Sequence, residues 1–593
     1  MPAALLLLFR PAGLDAGGHR AFDRVAAEFP VRVRRMPADD HTESRLRLRV
    51  WTHDAAVGEG IERRRETGGW AAVLGNPARA DLSGIPASEV PARVLDGGIA
   101  GVDSLSPPFA VALAERTDGP VHVAVDHCGI QHLYVREHAD GCVWISSSLL
   151  ALTAALGGTL DPEAAAEWLA AGHFISERTI AREVRKVGAG ERLRLGADGC
   201  TTLGGWRAAP PADAVDGDYR RTLLDAVRTG HGDRETTAEL TGGLDSRLIL
   251  AARTAAGLPT RSWTIGDARS AELKTVARLQ RAAGFEHLAA HVPLDPAFPP
   301  ATQVLEMHEL ADGEVNALEY SPLLQAFAQT AGRWQVSMSG AGGETARGYY
   351  YGAIHDGRLD VDALVHKLAG ASSSAVATLS RELFPDALGP LRGAVEGLLA
   401  SSRLESPANQ LEDVYLRGRM QRFAGRNTTT TGYFHRQALP FFDHAVVAAS
   451  LGLPAARKSD GAVMRDALIA WAPDLARIPL DSGMSVAARS WGSPGTQARW
   501  AVAMGRKVVR RYGGAVGRRV SDPPPVPWTA IAADPGLRDL VHATLPREGS
   551  RVHQVLDPAA TATLVDSALA SGDLYSLGLV MTLELTLARM RAT

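Results

Sequence analysis

The chain has 593 residues, too many for one hydrophobic core, so at least two domains are expected. Apolar residues make up 46% and charged residues 22%, average values that indicate neither a disordered nor a membrane-embedded protein. The 63 Lys and Arg nearly balance the 66 Asp and Glu, and a net charge of −3 gives no overall basic field for binding nucleic acid.

The apolar run at residues 3–9 has the length of a buried strand. No basic residue precedes it and Arg10-Pro11 closes it, so neither a membrane span nor a secretion signal is predicted. Three scattered cysteines fit structural roles in a reducing compartment better than a disulfide framework or a zinc site. We therefore expect a cytoplasmic protein.

Residues 1–206 are mostly short apolar runs separated by turn residues, typical of an antiparallel sheet domain. The pairs Asp118-Gly119, Cys128-Gly129 and Asp140-Gly141 each predict a hairpin turn. A helix is expected to begin after Asp161 as its N-cap, with Pro162 in the first helical position.

Residues 207–218 combine Pro, Ala, Gly and Asp without periodicity and are the best linker candidate. From residue 219 helical and strand patterns alternate, which predicts a doubly wound parallel α/β sheet. From about residue 359 the pattern is mainly helical. We predict domains at 1–206 and 219–593, the second with a largely helical C-terminal part.

The segment "LTGGLDS" (residues 240–246) joins a predicted strand to a predicted helix. Its backbone N–H groups at the helix start favour an anion, and the hydroxyls of Thr241 and Ser246 add donors. Asp245 would repel phosphate unless a cation such as Mg²⁺ lay between them. A plain turn with a helix cap explains the same residues, so the segment alone leaves both interpretations open.

Beyond the loop, the chain resembles the N-type ATP pyrophosphatases and, more closely, class B asparagine synthetase. "LTGGLDSRL" resembles the pyrophosphate loop of that family, "SWTIG" its adenine-reading strand and "VSMSGAGGETARGYY" its second motif; "ALPFFDHAVVAASLGLP" resembles a later segment. Residues 109–152 resemble its glutaminase domain, which implies an N-terminal α+β sandwich. The resemblance implies ATP and pyrophosphate binding by Leu240, Thr241, Gly242, Gly243, Asp245, Ser246, Ile265 and Gly340, with Mg²⁺ held by Asp245 and Glu344.

Departures from that family narrow the expected function. Pro2 stands where glutamine-using relatives carry their Cys nucleophile, so it offers no thiol to attack glutamine. Val125-Asp126 replaces an Arg-Asp pair. We therefore expect an inactive glutaminase domain with a structural or docking role.

The second domain departs as well. Ala341 occupies the position of a catalytic Glu or Tyr and cannot transfer a proton. The family's lysine falls at Gly461, which leaves Lys458 or Arg465 as the nearest cations in the sequence. The predicted catalytic residues are Asp245, Ser246, Glu344, Lys458 and Arg465.

This combination resembles the lasso peptide macrolactam cyclases. The resemblance implies ATP- and Mg²⁺-dependent adenylation of an Asp or Glu side chain in a precursor peptide, followed by attack of the peptide's N-terminal amine. Further candidate partners are the leader peptidase and leader-binding protein of such a pathway; neither nucleic acid nor a membrane is expected. The alternatives are a synthetase that forms an amide or β-lactam in a small molecule, and an inactive scaffold that binds peptide and nucleotide.

Three further segments have competing interpretations. Residues 426–437 are expected to line the acceptor pocket or to form a polar, β-prone surface loop. The basic run at 505–519 fits a solvated helix face or a peptide contact, and 521–528 a stiff connector. The tyrosines at 349–351 fit core packing or a wall of the peptide site.

Overall fold

The computed structural model describes residues 2–53, 60–79, 89–205, 207–211, 215–232, 234–370, 372–480, 484–486, 526–546 and 548–591. The basic run at 505–519 and residues 521–525 of the proline-rich segment lie outside these ranges. Within them, strands are numbered β1 to β21 and α-helices α1 to α24 in chain order.

Two six-stranded antiparallel sheets form the N-terminal half. The first has the order β12-β10-β11-β1-β3-β2 and the second the order β14-β13-β9-β8-β5-β4. The strands of the first sheet are β1 (Pro2–Phe9), β2 (Ala38–Thr42), β3 (Leu46–Thr52), β10 (Tyr134–Glu137), β11 (Val143–Ser146) and β12 (Arg185–Lys186). Those of the second are β4 (Glu62–Arg63), β5 (Gly68–Gly75), β8 (Phe109–Arg116), β9 (Val121–Val125), β13 (Glu191–Gly196) and β14 (Gly199–Gly205).

Strand β1 explains why the first residues are continuously apolar. Leu5 and Leu7 point into the core between the two sheets, whereas Leu6 and Leu8 pack against helices on the outer face. A strand buried on both faces needs no polar alternation. The helices of this half are α1 (Ala16–Ala27), α2 (Val31–Arg34), α3 (Val90–Gly97), α4 (Leu149–Leu156) and α5 (Pro162–Ala171).

Two of the three predicted hairpins are confirmed, and one is wrong. β8 pairs with β9 across Asp118-Gly119, and β10 pairs with β11 across Asp140-Gly141. Across Cys128-Gly129, however, β9 and β10 belong to different sheets. Gly129 has a φ of +66°, so the turn is tight as expected, but it carries the chain from one sheet to the other. The α5 start is confirmed, since the Asp161 side chain accepts hydrogen bonds from the first-turn N–H groups.

A five-stranded parallel sheet with the order β17-β16-β15-β18-β21 lies at the centre of the second half. Its strands are β15 (Thr236–Glu239), β16 (Arg261–Gly266), β17 (Glu286–His291), β18 (Val336–Met338) and β21 (Arg436–Ala438). The helices α6 (Asp216–His231), α7 (Leu244–Ala255) and α8 (Ala271–Ala283) precede, connect and follow the first strands. In chain order the strands run 3-2-1-4-5, the pattern of a doubly wound sheet. The predicted fold class is therefore confirmed.

The rest of the second half is mainly helical, as predicted. Its helices are α9 (Pro300–Leu310), α10 (Ala317–Tyr320), α11 (Leu323–Thr330), α12 (Val361–Ala369), α13 (Ser373–Val376), α14 (Gly389–Ala400), α15 (Pro407–Val414), α16 (Gly425–Thr431), α17 (His444–Gly452), α18 (Ala455–Lys458), α19 (Ala462–Trp471), α20 (Pro473–Arg477), α21 (Trp528–Ala533), α22 (Pro535–Thr544), α23 (Pro558–Ser571) and α24 (Tyr575–Arg589). Two short ladders pair β6 (Ala78–Arg79) with β7 (Leu105–Ser106) and β19 (Ile354–His355) with β20 (Arg358–Leu359). The 3₁₀ turns are Gly98–Ser104, Gly343–Ala346, Tyr351–Ala353, Pro440–Phe442, Ser459–Gly461 and Arg551–Gln554.

A π-helical segment, Tyr415–Ala424, joins α15 to α16, so one long helix runs from residue 407 to 431. We call it the central helix. The prediction of a surface loop at residues 426–437 is wrong, because most of this segment is the buried end of the central helix followed by β21. Within this buried helix, the hydroxyls of Thr430 and Thr431 are satisfied, because they donate to carbonyl oxygens one turn earlier.

The two halves share a hydrophobic core. Leu6 and Trp168 from the N-terminal half belong to the same buried cluster as Val304 and Leu577 from the second half. Helix α24 is apolar on nearly all sides and contacts α4 and α5 as well as α10. No helix among the described residues is long and apolar enough to cross a membrane. The boundaries 1–206, 207–218 and 219–593 stay a prediction.

Four buried charges also join the halves. Lys186 lies at the end of β12, Asp312 and Glu314 follow α9, and Arg426 belongs to α16; each side chain is at most 1% exposed. The Arg426 guanidinium lies 3.0 Å from Asp312 Oδ2, and the Lys186 ammonium contacts Glu314 and lies 2.9 Å from His132 Nδ1. Burial alone would raise the Glu314 pKa, but Lys186 and the nearby arginines lower it overall. We call these four residues the charge cluster.

Replacing Lys186 by Met should lower the free energy of unfolding by about 3–5 kcal/mol, because Glu314 is left buried without its nearest cation. Denaturant unfolding, followed through the first cooperative transition, measures this effect. Arg221→Ala, which breaks the exposed pair with Asp218, is the control and should cost less than about 0.5 kcal/mol. Equal losses in the two variants would contradict a structural role for the charge cluster.

Candidate active site

The candidate site lies where the parallel sheet reverses its strand order. β15 pairs with β16 on one side and with β18 on the other, both in parallel. Because the chain leaves these two neighbouring strands in opposite directions, a crevice opens at their carboxyl ends, the usual ligand site of such sheets. Residues 240–244, the first glycine loop, follow β15, and residues 339–344, the second glycine loop, follow β18.

The first glycine loop is held by its own hydroxyl groups. The Thr241 N–H donates to Ser246 Oγ (3.0 Å), and the two hydroxyls share a hydrogen bond of 2.8 Å. The Gly243 N–H donates to Thr241 Oγ1 (3.2 Å). Gly243 is the N-cap of α7 and provides no capping side chain, so the helix start is suited to an external anion. The predicted residues Leu240, Thr241, Gly242, Gly243 and Ser246 therefore lie together at one helix start.

Arg247, which the sequence analysis did not single out, anchors the same loop from beneath. Its guanidinium is fully buried and donates to the Gly242 carbonyl (3.0 Å) and to the carbonyls of Leu475 (3.1 Å) and Ile478 (2.6 Å). This fixes the Gly242 carbonyl on the side of the protein interior. A buried arginine next to a glycine loop was visible in the sequence only as "DSR", which does not predict its partners.

The second glycine loop packs directly on the start of α7, immediately after the first glycine loop. A Cβ atom on Gly340 would lie 2.7 Å from the Ser246 amide nitrogen, and one on Gly343 would lie 2.6 Å from Asp245 Oδ1. Both distances are shorter than side chains allow, so glycine is required at each position. The predicted residue Gly340 is thus placed by backbone contact. The contact brings Glu344 to the same side of the crevice as Asp245.

Asp245 and Glu344, which we call the acid pair, converge on Arg347. Its Nη2 lies 2.7 Å from Asp245 Oδ2 and 3.2 Å from Glu344 Oε1. The phenol of Tyr415, in the π segment, donates to Glu344 Oε2 (2.5 Å). Burial and then the neighbouring Glu344 raise the Tyr415 pKa, so this phenol stays protonated as a donor. Neither Arg347 nor Tyr415 was predicted from the sequence.

The cations that the sequence analysis named lie elsewhere. Lys458 is fully buried, with Nζ 3.0 Å from Asn409 Oδ1 and 3.8 Å from Glu412 Oε1. Burial raises the Glu412 pKa to about 8 in spite of Lys458. The Arg465 guanidinium donates to the backbone carbonyl of Ser485 (2.8 Å). Among the described residues, the cation that contacts the acid pair is Arg347, and the roles predicted for Lys458 and Arg465 stay predictions.

Ile265, predicted to bind adenine, lies in β16 beside the first glycine loop. It is half-buried and pairs in register with Ala290 of β17. The neighbouring Thr264 hydroxyl donates to the Leu240 carbonyl, which ties the end of β16 to the start of the loop. The strand is thus placed at the crevice edge, as the nucleotide prediction requires.

The acid pair also fits a magnesium ion held together with a phosphate. Mg²⁺ prefers oxygen ligands and is often bound by one or two carboxylates plus phosphate oxygens. Asp245 Oδ2 and Glu344 Oε1 both contact Arg347 Nη2, so the guanidinium occupies the position between the two carboxylates. Among the described residues, no group of three or more His, Cys, Asp or Glu forms a metal site. The two carboxylates therefore fit Mg²⁺ only if the Arg347 guanidinium moves away from the position between them.

In the N-terminal half, Asp126 has a structural environment. Its carboxylate accepts from the N–H groups of Cys128 (3.1 Å), Ile130 (3.0 Å) and Gln131 (3.0 Å), and its pKa is raised by burial to about 6. Burial also raises the pKa of the Cys128 thiol, which makes it a poor nucleophile. These contacts support the turn at residues 126–131.

Comparisons with known proteins agree with this division of the chain into two kinds of sheet. Residues 218–474 match the family model described as asparagine synthase, and residues 89–206 match the model described as a glutamine amidotransferase domain. The two matches support an asparagine synthetase-like family. The asparagine synthase match indicates ATP-dependent amide-bond ligase chemistry. A search of curated proteins gave no match.

Two solved structures are similar to parts of the chain. One is a glutamine phosphoribosylpyrophosphate (PRPP) amidotransferase from B. subtilis complexed with ADP and GMP, at 11% identity and a TM-score of 0.25; 44% of this chain covers 65% of that one. The other is described as the allosteric regulatory enzyme of purine biosynthesis, at 11% identity and a TM-score of 0.24; 50% of this chain covers 81% of that one. At such scores neither likeness bears on the function of this chain.

Gly340→Ala should weaken ATP binding by at least about tenfold, because the added methyl group forces the two glycine loops apart. Isothermal titration calorimetry measures the effect. The matched control is Gly352→Ala, since a Cβ there meets nothing within 4 Å. ATP binding that is equally tight in both variants would show that the loop contact is not needed for the nucleotide.

Proposed function

We propose that the protein is an ATP-dependent ligase that closes a macrolactam in a ribosomal precursor peptide, giving a lasso peptide. The observation that carries the ligase part is the crevice at the sheet reversal, where two glycine loops bring an uncapped helix start beside an acid pair. The peptide substrate is inferred from the resemblance to lasso cyclases and from Pro2 and Ala341.

The reaction has two steps. An Asp or Glu side-chain carboxylate of the peptide attacks the α-phosphate of ATP, so that an acyl–adenylate forms and pyrophosphate leaves. The peptide's N-terminal amine then attacks the acyl carbon; the amide bond forms, AMP leaves with the bonding electrons, and the amine loses a proton.

The residues of the crevice fit the first step. Backbone N–H groups in the first turn of α7, which follows Gly243, would hold the pyrophosphate, since a helix N-terminus favours an anion. A magnesium ion, when bound by Asp245 and Glu344, would neutralise phosphate charge. The hydroxyl pair of Thr241 and Ser246 keeps the loop in the conformation that presents these amides.

The second step needs positioning more than proton transfer. Ala341 lies half-buried in the second glycine loop and has no group that exchanges protons. A prefolded peptide that holds its amine against the adenylate gains up to about 7–11 kcal/mol from proximity. The peptide's own amine therefore suits this site better as the nucleophile than free ammonia does. In addition, Pro2 offers no thiol to release ammonia from glutamine.

In this proposal the N-terminal half supports the ligase half. The charge cluster and the shared core join the two, and Asp126 serves a backbone turn. The leader peptidase and the leader-binding protein of the pathway are proposed partners, and Mg²⁺ is a proposed cofactor.

Incubation with ATP, Mg²⁺ and a leader-free candidate precursor should give AMP only when the peptide is present, with loss of one water from the peptide mass. Asp245→Ala should lower both products by at least about a hundredfold, because it removes half of the acid pair. Asp225→Ala is the matched control, since Asp225 pairs with Arg228 on an exposed helix face. Chromatography of nucleotides and mass spectrometry of the peptide are the measurements.

Other outcomes select the alternatives. AMP formation with small amino acids but not with peptides would support an amide- or β-lactam-forming synthetase. ATP binding without AMP under every condition would support an inactive scaffold, which the retained acid pair disfavours.

A further inference from the structure

Arg347 and Gly461 form a contact that links the second glycine loop to the start of α19. Gly461 has a φ of +66° and is the N-cap of α19. A Cβ atom on it would lie 3.1 Å from Arg347 Cγ and 3.1 Å from Leu244 Cδ2. Because residue 461 has no side chain, the methylene groups of Arg347 lie directly against its backbone, and the guanidinium reaches the acid pair.

We propose that Arg347 is a catalytic residue that contacts the leaving pyrophosphate, and that the absence of a side chain at residue 461 leaves room for it. The proposal rests on the proposed adenylation. By resemblance, position 461 holds a lysine in related synthetases, so in this chain the cation comes from the opposite wall of the crevice.

The hydrogen bonds of Arg347 leave donors for a ligand. Its Nη2 binds the acid pair, and its Nη1 forms no hydrogen bond within the described part of the chain; its Nε is also unpaired but is buried. The side chain as a whole remains 31% exposed, so a ligand would meet the outer edge of the guanidinium, at Nη1 and Nη2. A planar guanidinium binds phosphate oxygens through two parallel N–H groups, which an ammonium cannot do.

The neighbouring cations do not fill this role in the structure. Lys458 is enclosed by Asn409 and Glu412, and Arg465 binds the backbone at residues 485 and 486. Two carboxylates that point at one place repel each other, and a cation between them relieves this repulsion. Before ATP binds, the Arg347 guanidinium lies between Asp245 and Glu344. When pyrophosphate forms beside these carboxylates, the same guanidinium is close enough to bind it.

The test uses pyrophosphate binding by calorimetry and the peptide-dependent rate of AMP formation. Gly461→Ala should reduce both by at least about threefold, because the new methyl group would lie 3.1 Å from Arg347 Cγ and the side chain must shift to accommodate it. The matched control is Gly284→Ala: Gly284 has a φ of +68°, which imposes the same backbone strain, and a Cβ there meets nothing within 4 Å. The control should keep both values within a factor of about two.

Changes at Arg347 itself give the second line of the test. Arg347→Met removes the guanidinium and should reduce both readouts by at least about tenfold, more than Gly461→Ala does; Arg347→Lys should recover part of them, because it keeps the charge but not the planar fork. Unchanged pyrophosphate binding in Gly461→Ala and Arg347→Met would overturn the proposal. Pyrophosphate binding needs no peptide, so this test stands even if no peptide is cyclised and the proposed function fails.

Discussion

The candidate site depends on the close approach of two backbone segments. Gly340 and Gly343 let the loop after β18 touch Ser246 and Asp245 at distances that exclude any side chain. Because the loops follow neighbouring parallel strands, the sheet itself sets this approach, and no long-range rearrangement is needed to form the crevice. The approach has an electrostatic cost: it places two carboxylates at one point, so the fold must also deliver a cation there.

The cation and the acid pair are connected to the rest of the molecule by the central helix. Tyr415 binds Glu344 from its π segment, a type of irregularity that often occurs at functional sites. Further along the same helix, Gln421 donates to the Val187 carbonyl of the N-terminal half, and Arg426 belongs to the charge cluster. A single helix therefore contacts the candidate active site, the N-terminal half and the buried ions.

Much of this architecture was predictable from local patterns. The alternation of strands and helices from residue 219 identified the doubly wound sheet, and the glycines, hydroxyls and acids of the two loops identified the crevice residues. Arg347 was not predicted, because its position is set by packing against Gly461, which lies 114 residues further along the chain. The candidates for a replacement cation were only those close in sequence to Gly461, where related synthetases have a lysine. Lys458 does not contact the acid pair, because its side chain turns into the interior toward Glu412, a direction that its place in the sequence does not reveal. The turn at Cys128-Gly129 was recognised, but its residues do not specify whether the next strand stays in the same sheet.

The charge cluster has a consequence for how this chain can change over time. Lys186 belongs to the N-terminal half, whereas Asp312, Glu314 and Arg426 belong to the second, so deleting the first half would remove the cation that contacts Glu314 together with Leu6 and Trp168 of the shared core. The N-terminal sheets thus contribute to the folding of their neighbour, independently of any reaction of their own. A protein engineer who wanted a minimal ligase would first have to redesign the surface that their removal exposes, with side chains that tolerate water.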